Sequence, residues 1–136
     1  MNKTVPSVSK YMTSSPYSVG ADQKLAVAES LMTQHHIRHL PVMEGGKLVG
    51  IITDRDIKLV RSFDVTSADK ILVSDVARED TFTVSPNAKL NDVARQMAGD
   101  RIGSALVVDN QKLVGIFTDV DALRALDDLL NTRLTH

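Results

Sequence analysis

Apolar and polar positions follow one pattern twice along the chain. A short extended stretch opens each copy, at Tyr17–Val19 and at Thr81–Val84. An amphipathic helix follows, with Leu25, Ala28, Leu31 and Met32 on one face, and Leu90, Val93, Ala94 and Met97 in the second copy. Asp22 and Asn87 stand near the helix starts as candidate caps. The helix of the first copy is predicted to end within Gln34–Ile37. A strand comes next, Arg38–Met43 or Ser104–Val108, then a polar turn, Glu44-Gly45-Gly46 or Asp109-Asn110-Gln111. A second strand, Lys47–Thr53 or Lys112–Thr118, completes an antiparallel hairpin. Another helix is predicted to start at Asp54 or Asp119, with those aspartates as its caps. Short helices near Ser7–Met12 and Ile71–Val76 precede the two copies. The order in each is β-α-β-β-α.

The copies are related by a constant offset of 65 residues. Val19–Ile57 aligns with Val84–Ala122 without a gap, and 14 of the 39 positions are identical. Average residue usage would give about two or three. The identities cluster: Lys47-Leu48-Val49-Gly50-Ile51 recurs as Lys112-Leu113-Val114-Gly115-Ile116, and Thr53-Asp54-x-Asp56 as Thr118-Asp119-x-Asp121. Two copies are too few for an open solenoid. They are expected to close on each other about a pseudo-twofold axis and share one core, in an α/β (α+β) fold. The expected organisation is repeat 1 over 6–62, a linker over 63–70, repeat 2 over 71–126, and a helix end and tail over 127–136.

Length and composition fit this scheme. The chain has 136 residues, 43% hydrophobic and 24% charged, with aromatics at only 4%. The core must therefore be aliphatic, and Met12, Met32, Met43 and Met97 are assigned to it. No apolar run reaches the eighteen or so residues of a membrane span. Cysteine is absent, which excludes disulfides and thiol catalysis. With no secretory signal pattern at the N-terminus, the expected location is the cytoplasm. The net charge is −1. Residues 1–68 hold 8 basic and 6 acidic groups, and 69–136 hold 8 and 11. Neither half has the basic excess of a nucleic-acid binder, and three phenylalanines make a poor stacking platform.

The segment Arg38-His39-Leu40-Pro41-Val42, the hairpin after it and Gly50-Ile51-Ile52-Thr53-Asp54-Arg55-Asp56 resemble a CBS (cystathionine β-synthase) domain. Ile102–Val108 and Gly115-Ile116-Phe117-Thr118-Asp119-Val120-Asp121 resemble a second, and Val8–Thr13 is similar to the usual opening of such a pair. The resemblance covers about residues 6–126. It implies a tandem pair, or Bateman module, here with nothing else fused to it. Such a module binds an adenosine-containing ligand, AMP, ADP, ATP or S-adenosylmethionine, in clefts between its repeats. It commonly forms a homodimer and reports ligand state to a partner enzyme or transporter. The ligand is regulatory, and no obligatory cofactor is implied.

A carboxylate in the first helical turn can accept both vicinal hydroxyls of a ribose, and the nearby threonine can bond sugar or phosphate. Thr118 with Asp121, and Thr53 with Asp56, have that spacing. N–H groups near Asp119 and Val120 are expected to be open to an anion. A purely local reading is equally available at one copy alone: the aspartate caps its helix and the threonine merely ends its strand. By family analogy, the Asp121 cleft draws on Val19, Arg38, His39, Leu40 and Pro41. The Asp56 cleft draws on Val84, Ile102 and Ser104, with Arg55 as its cation. Two potentially cationic groups favour the Asp121 cleft. Arg38 and His39 also have bland readings, as a solvated strand-end arginine and a partly buried packing residue.

His35 and His39 are four apart, but the helix is predicted to end between them and no HExxH pattern follows, so no metal site is assigned. No nucleophile or phosphate-loop motif completes an active site, so the chain is not read as an enzyme. The alternative is a dimerisation or scaffold module without a ligand. The stripe Leu123, Leu126, Leu129 and Leu130 makes the last helix amphipathic, in part toward the core and in part toward a dimer partner.

Overall fold

The computed structural model describes residues 4–134. The expected tail beyond Leu134, with His136, lies outside the described residues. The described residues form two compact units, one built from residues 16–81 and the other from residues 4–15 with 82–134.

The unit of residues 16–81 contains β2 (Val19–Gly20), α1 (Leu25–His35), β3 (His39–Glu44), β4 (Lys47–Thr53) and α2 (Asp54–Phe63). β2 pairs parallel to β3, and β3 pairs antiparallel to β4. The parallel pair is joined through α1, as parallel strands require a crossover. The hairpin turn is only two residues, Gly45 and Gly46, both at positive φ. That conformation matches the right-handed strand twist and suits glycine. Leu25, Ala28, Met32, Leu40, Val42, Ile52 and Ile57 form the buried cluster.

The other unit repeats this plan. It has β1 (Thr13–Ser14), β5 (Thr83–Val84), α3 (Leu90–Asp100), β6 (Ser104–Asp109), β7 (Lys112–Thr118) and α4 (Asp119–Leu134), in the sheet order β1-β7-β6-β5. Leu90, Val93, Met97, Ala105, Val107, Phe117 and Ala125 form its buried cluster. The apolar material expected to make the core is thus found as one cluster in each unit. Ala94, expected on the core face of α3, is exposed. Leu90, Val93 and Met97 centre the stripe, and Ala94 falls at its margin. Met32 and Met97 are buried, while Met12 and Met43 are half-buried.

Each unit incorporates the lead-in of the other repeat. Residues 8–14 belong with residues 82–134: Val8 is fully buried there, its N–H donates to Ala88 O, and β1 pairs antiparallel with β7. Residues 73–78 belong with residues 16–72: Val73 is fully buried, and Ile51 and Arg78 exchange backbone hydrogen bonds of 2.9 Å. The expected lead-in helices are single 3-10 turns, Val8–Lys10 and Val73–Asp75. The stretch 63–70 is also built in, since Ala68 is buried and Asp64 accepts from the N–H and hydroxyl of Thr66.

This arrangement overturns the expected helix caps. Asp22 and Asn87 cap nothing, because α1 and α3 start after Lys24 and Lys89. The first helical N–H of α1 donates to Ile71 O at 2.8 Å, and that of α3 to Pro6 O at 3.0 Å. A backbone carbonyl from the incorporated lead-in does the work expected of a side chain.

Candidate functional site

The Thr-x-x-Asp segments form matching corners where β4 meets α2 and β7 meets α4. At the first corner, Thr53 N–H donates to Asp56 Oδ2 at 3.0 Å, and Asp56 N–H donates to Thr53 Oγ1 at 3.2 Å. At the second, Thr118 N–H donates to Asp121 Oδ2 at 3.0 Å, and Asp121 N–H donates to Thr118 Oγ1 at 3.4 Å. Each is a reciprocal capping box. Asp54 and Asp119, expected as caps, are instead the first helical residues. Asp54 lies 3.6 Å from Lys58 in an exposed ion pair of little energetic weight.

The open N–H groups expected near the start of α4 are also taken. Asp119 N–H donates to Gly103 O at 3.2 Å, and Val120 N–H donates to Asp119 Oδ1 at 2.9 Å. An anion meeting this helix end would have to displace those bonds.

The two aspartates are buried, with Asp56 8% and Asp121 4% exposed. Capping engages one carboxylate oxygen and leaves the other for a partner. At Asp121 that partner is Thr13, whose hydroxyl donates to Oδ1 at 3.1 Å. At Asp56 it is Arg78, whose Nη2 donates to Oδ1 at 3.1 Å. Thr13 and Arg78 lie 65 residues apart, at corresponding places in the two lead-ins. Neither emerged from the sequence reading. The repeat offset would have paired them, but their closeness to the carboxylates depends on where the lead-ins pack.

The remaining candidates divide between the units. In the unit of residues 16–81, His39 is half-buried and registers opposite Thr53. Arg38 and Arg55 are exposed. Val19, Leu40 and Pro41 are core side chains, so any share of a ligand site falls to their backbone. In the other unit, Ser104 is buried opposite Thr118, and Val84 and Ile102 are half-buried. His35 ends α1 and stacks on Tyr17, with ring centroids 3.7 Å apart. His36 is the left-handed residue that closes the helix. Among the described residues, no three His, Asp or Glu side chains gather as metal ligands. No described helix is long and apolar enough to cross a membrane.

These corners, hairpins and lead-ins occur on a chain whose sequence matches the CBS domain twice, at residues 8–62 and 73–128. The chain belongs to the CBS domain family, as a tandem pair. It is 37% identical to the CBS domain-containing protein YhcV of Bacillus subtilis, over 81% of this chain and 78% of that one. It is 30% identical to an inosine-5'-monophosphate dehydrogenase of Korarchaeum cryptofilum, over 89% of this chain but only 24% of that enzyme. Among solved structures it is similar to the CBS domain pair of protein MJ0100, in complex with 5'-methylthioadenosine and S-adenosyl-L-methionine. That likeness has a TM-score of 0.81 and 26% identity, and covers 92% of this chain and 98% of the other.

Proposed function

We propose that this CBS pair is a regulatory module that binds an adenosine-containing ligand of the AMP, ADP, ATP or S-adenosylmethionine class. The observation that carries this reading is the pair of buried carboxylates at matching corners, each with one oxygen spent on its helix cap. The other oxygen, Oδ1, is held by a single side chain, Thr13 or Arg78. A ribose diol can take over that oxygen, because an ionised carboxylate has about four lone-pair sites and capping uses few of them. The complex of the MJ0100 pair with two adenosyl compounds supports the same ligand class. Thr53 and Thr118 hold the carboxylates in place; His39 registers opposite Thr53 and Ser104 opposite Thr118, each in the unit other than the one that holds the carboxylate family analogy paired it with.

The module acts by binding rather than by bond breaking, and its ligand shifts the surface offered to a partner enzyme or transporter. Such a shift requires different ligand affinities in the two states. The exposed apolar stripe of α4 supports a homodimer, the form in which a scaffold without ligand would also function.

A thermal-shift panel with AMP, ADP, ATP and S-adenosylmethionine tests the reading. Ligand at one hundred times its dissociation constant adds about 2.7 kcal/mol of stability. A shift with one of them that weakens in Asp121→Ala or Asp56→Ala supports the module. No shift from nucleotide-free protein favours the scaffold.

A further inference from the structure

The two corners match except for the group that holds the second carboxylate oxygen. At Asp121 it is the neutral hydroxyl of Thr13, 3.1 Å from Oδ1 and 3.3 Å from Oδ2. At Asp56 it is the guanidinium of Arg78. The Asp121 corner therefore holds a buried carboxylate with neutral donors only, whereas the Asp56 corner carries its own counter-cation. The Arg78 side chain is 62% exposed. It spends one N–H on Asp56, and a guanidinium has five in a fixed fork. The remaining donors are open to a second anion beside the carboxylate.

We infer that Arg78 is a specificity-determining residue that makes the Asp56 corner select phosphate-bearing adenosine ligands over unphosphorylated ones. This rests on the adenosine-binding reading above. A ribose diol that donates both hydroxyls to Asp56 Oδ1 fills that oxygen's two lone-pair sites and displaces the Arg78 N–H. A ligand with a phosphate gives that guanidinium a new charge-assisted partner in return. Adenosine or methylthioadenosine gives it none, and the ion pair is lost without replacement. At the Asp121 corner no cation is displaced, since the rotatable Thr13 hydroxyl simply turns to another acceptor. The same fold thus offers two corners with different demands on the tail of the ligand. The difference comes from one position in the lead-in.

The test uses the full chain with Asp121→Ala, which leaves the Asp56 corner as the binding site. AMP and adenosine are titrated by calorimetry, alone and with Arg78→Thr or Arg78→Gln added. Arg78→Thr copies the group at the other corner, and Arg78→Gln keeps a polar donor without the charge. With Arg78 present, AMP is expected to bind about tenfold tighter than adenosine, the order of one charge-assisted bond. Either Arg78 variant is expected to bring the two within about threefold. Equal binding of AMP and adenosine with Arg78 intact would overturn the inference, as would a preference that survives both substitutions. Binding by wild type but not by Asp121→Ala would overturn it too, and leave the adenosine reading standing. Absence of binding by wild type would remove that reading itself.

Discussion

Gly50 lies directly under the carbonyl of Arg78: a Cβ built on Gly50 would sit 2.7 Å from that oxygen. The corresponding Gly115 lies under Met12, where a Cβ would run into the thioether. Glycine recurs at both positions because a lead-in crosses the strand there. The consequences of adding a methyl differ, since a hydrogen-bonded backbone carbonyl cannot step aside and a methionine side chain can. Gly50→Ala is expected to lose about 2–3 kcal/mol of stability, and Gly115→Ala about 1 kcal/mol. Urea unfolding of the two variants checks this, and equal losses would contradict it.

The second hairpin is less well adapted than the first. Its turn, Asn110-Gln111, places both residues at positive φ, as do Gly45 and Gly46 in the first. Asparagine tolerates that region, but glutamine has no local bond to favour it. Gln111→Gly should therefore stabilise the chain, by up to about 1 kcal/mol, once relief of strain is set against the greater freedom of glycine when unfolded. A rise in the urea midpoint at unchanged slope is the expected result.

Much of the fold is legible in the sequence because it depends on local pattern. Both hairpins, all four helices and the start of α2 and α4 at Asp54 and Asp119 follow from periodicity and turn chemistry. The Thr-x-x-Asp corners were legible as well, since the spacing recurs at a fixed offset. What was not legible depends on which segment packs where. The lead-ins join the unit of the other repeat, so the caps of α1 and α3 come from Ile71 and Pro6, far from those helices in sequence terms. The same long-range packing brings Arg78 to Asp56 and Thr13 to Asp121, which no local signal reveals.

Stability should also fall at alkaline pH through Tyr11. Burial, and then its hydrogen bond to Asp128 and that residue's charge, hold the phenol above its ordinary value; Arg133 opposes the shift. The hydroxyl donates to Asp128 Oδ2 at 2.5 Å. A folded pKa above the unfolded one means the contribution is complete below about pH 10 and is lost as pH rises through the folded value. This contact is largely solvated, so its worth is at most about 1 kcal/mol. Wild type should melt above Tyr11→Phe at pH 8, and the gap should narrow as the pH is raised through the titration of the phenol. A gap independent of pH would contradict this.

On α4, Leu123, Leu126, Leu130 and Leu134 are all exposed, while Ala125 on the opposite face is buried. Leu129, placed by its spacing in the same stripe, instead packs half-buried against the core. Contiguous exposed apolar patches are a common feature of association surfaces. If the leucine row carries the proposed homodimer, Leu126→Glu with Leu130→Glu should give a monomer by sedimentation, with a loss of less than about 1 kcal/mol in monomer stability. An unchanged dimer would assign assembly to another surface, and a monomeric wild type would remove it.

The most direct test of the account is calorimetric titration of nucleotide-free protein with AMP and with S-adenosylmethionine. Wild type, Asp56→Ala, Asp121→Ala and the double variant would be compared. Saturable binding by wild type, weakened in a single variant and abolished in the double variant, is the predicted result. Binding of undiminished affinity in the double variant, or none in wild type, would contradict the claim that these two carboxylates receive an adenosine ligand.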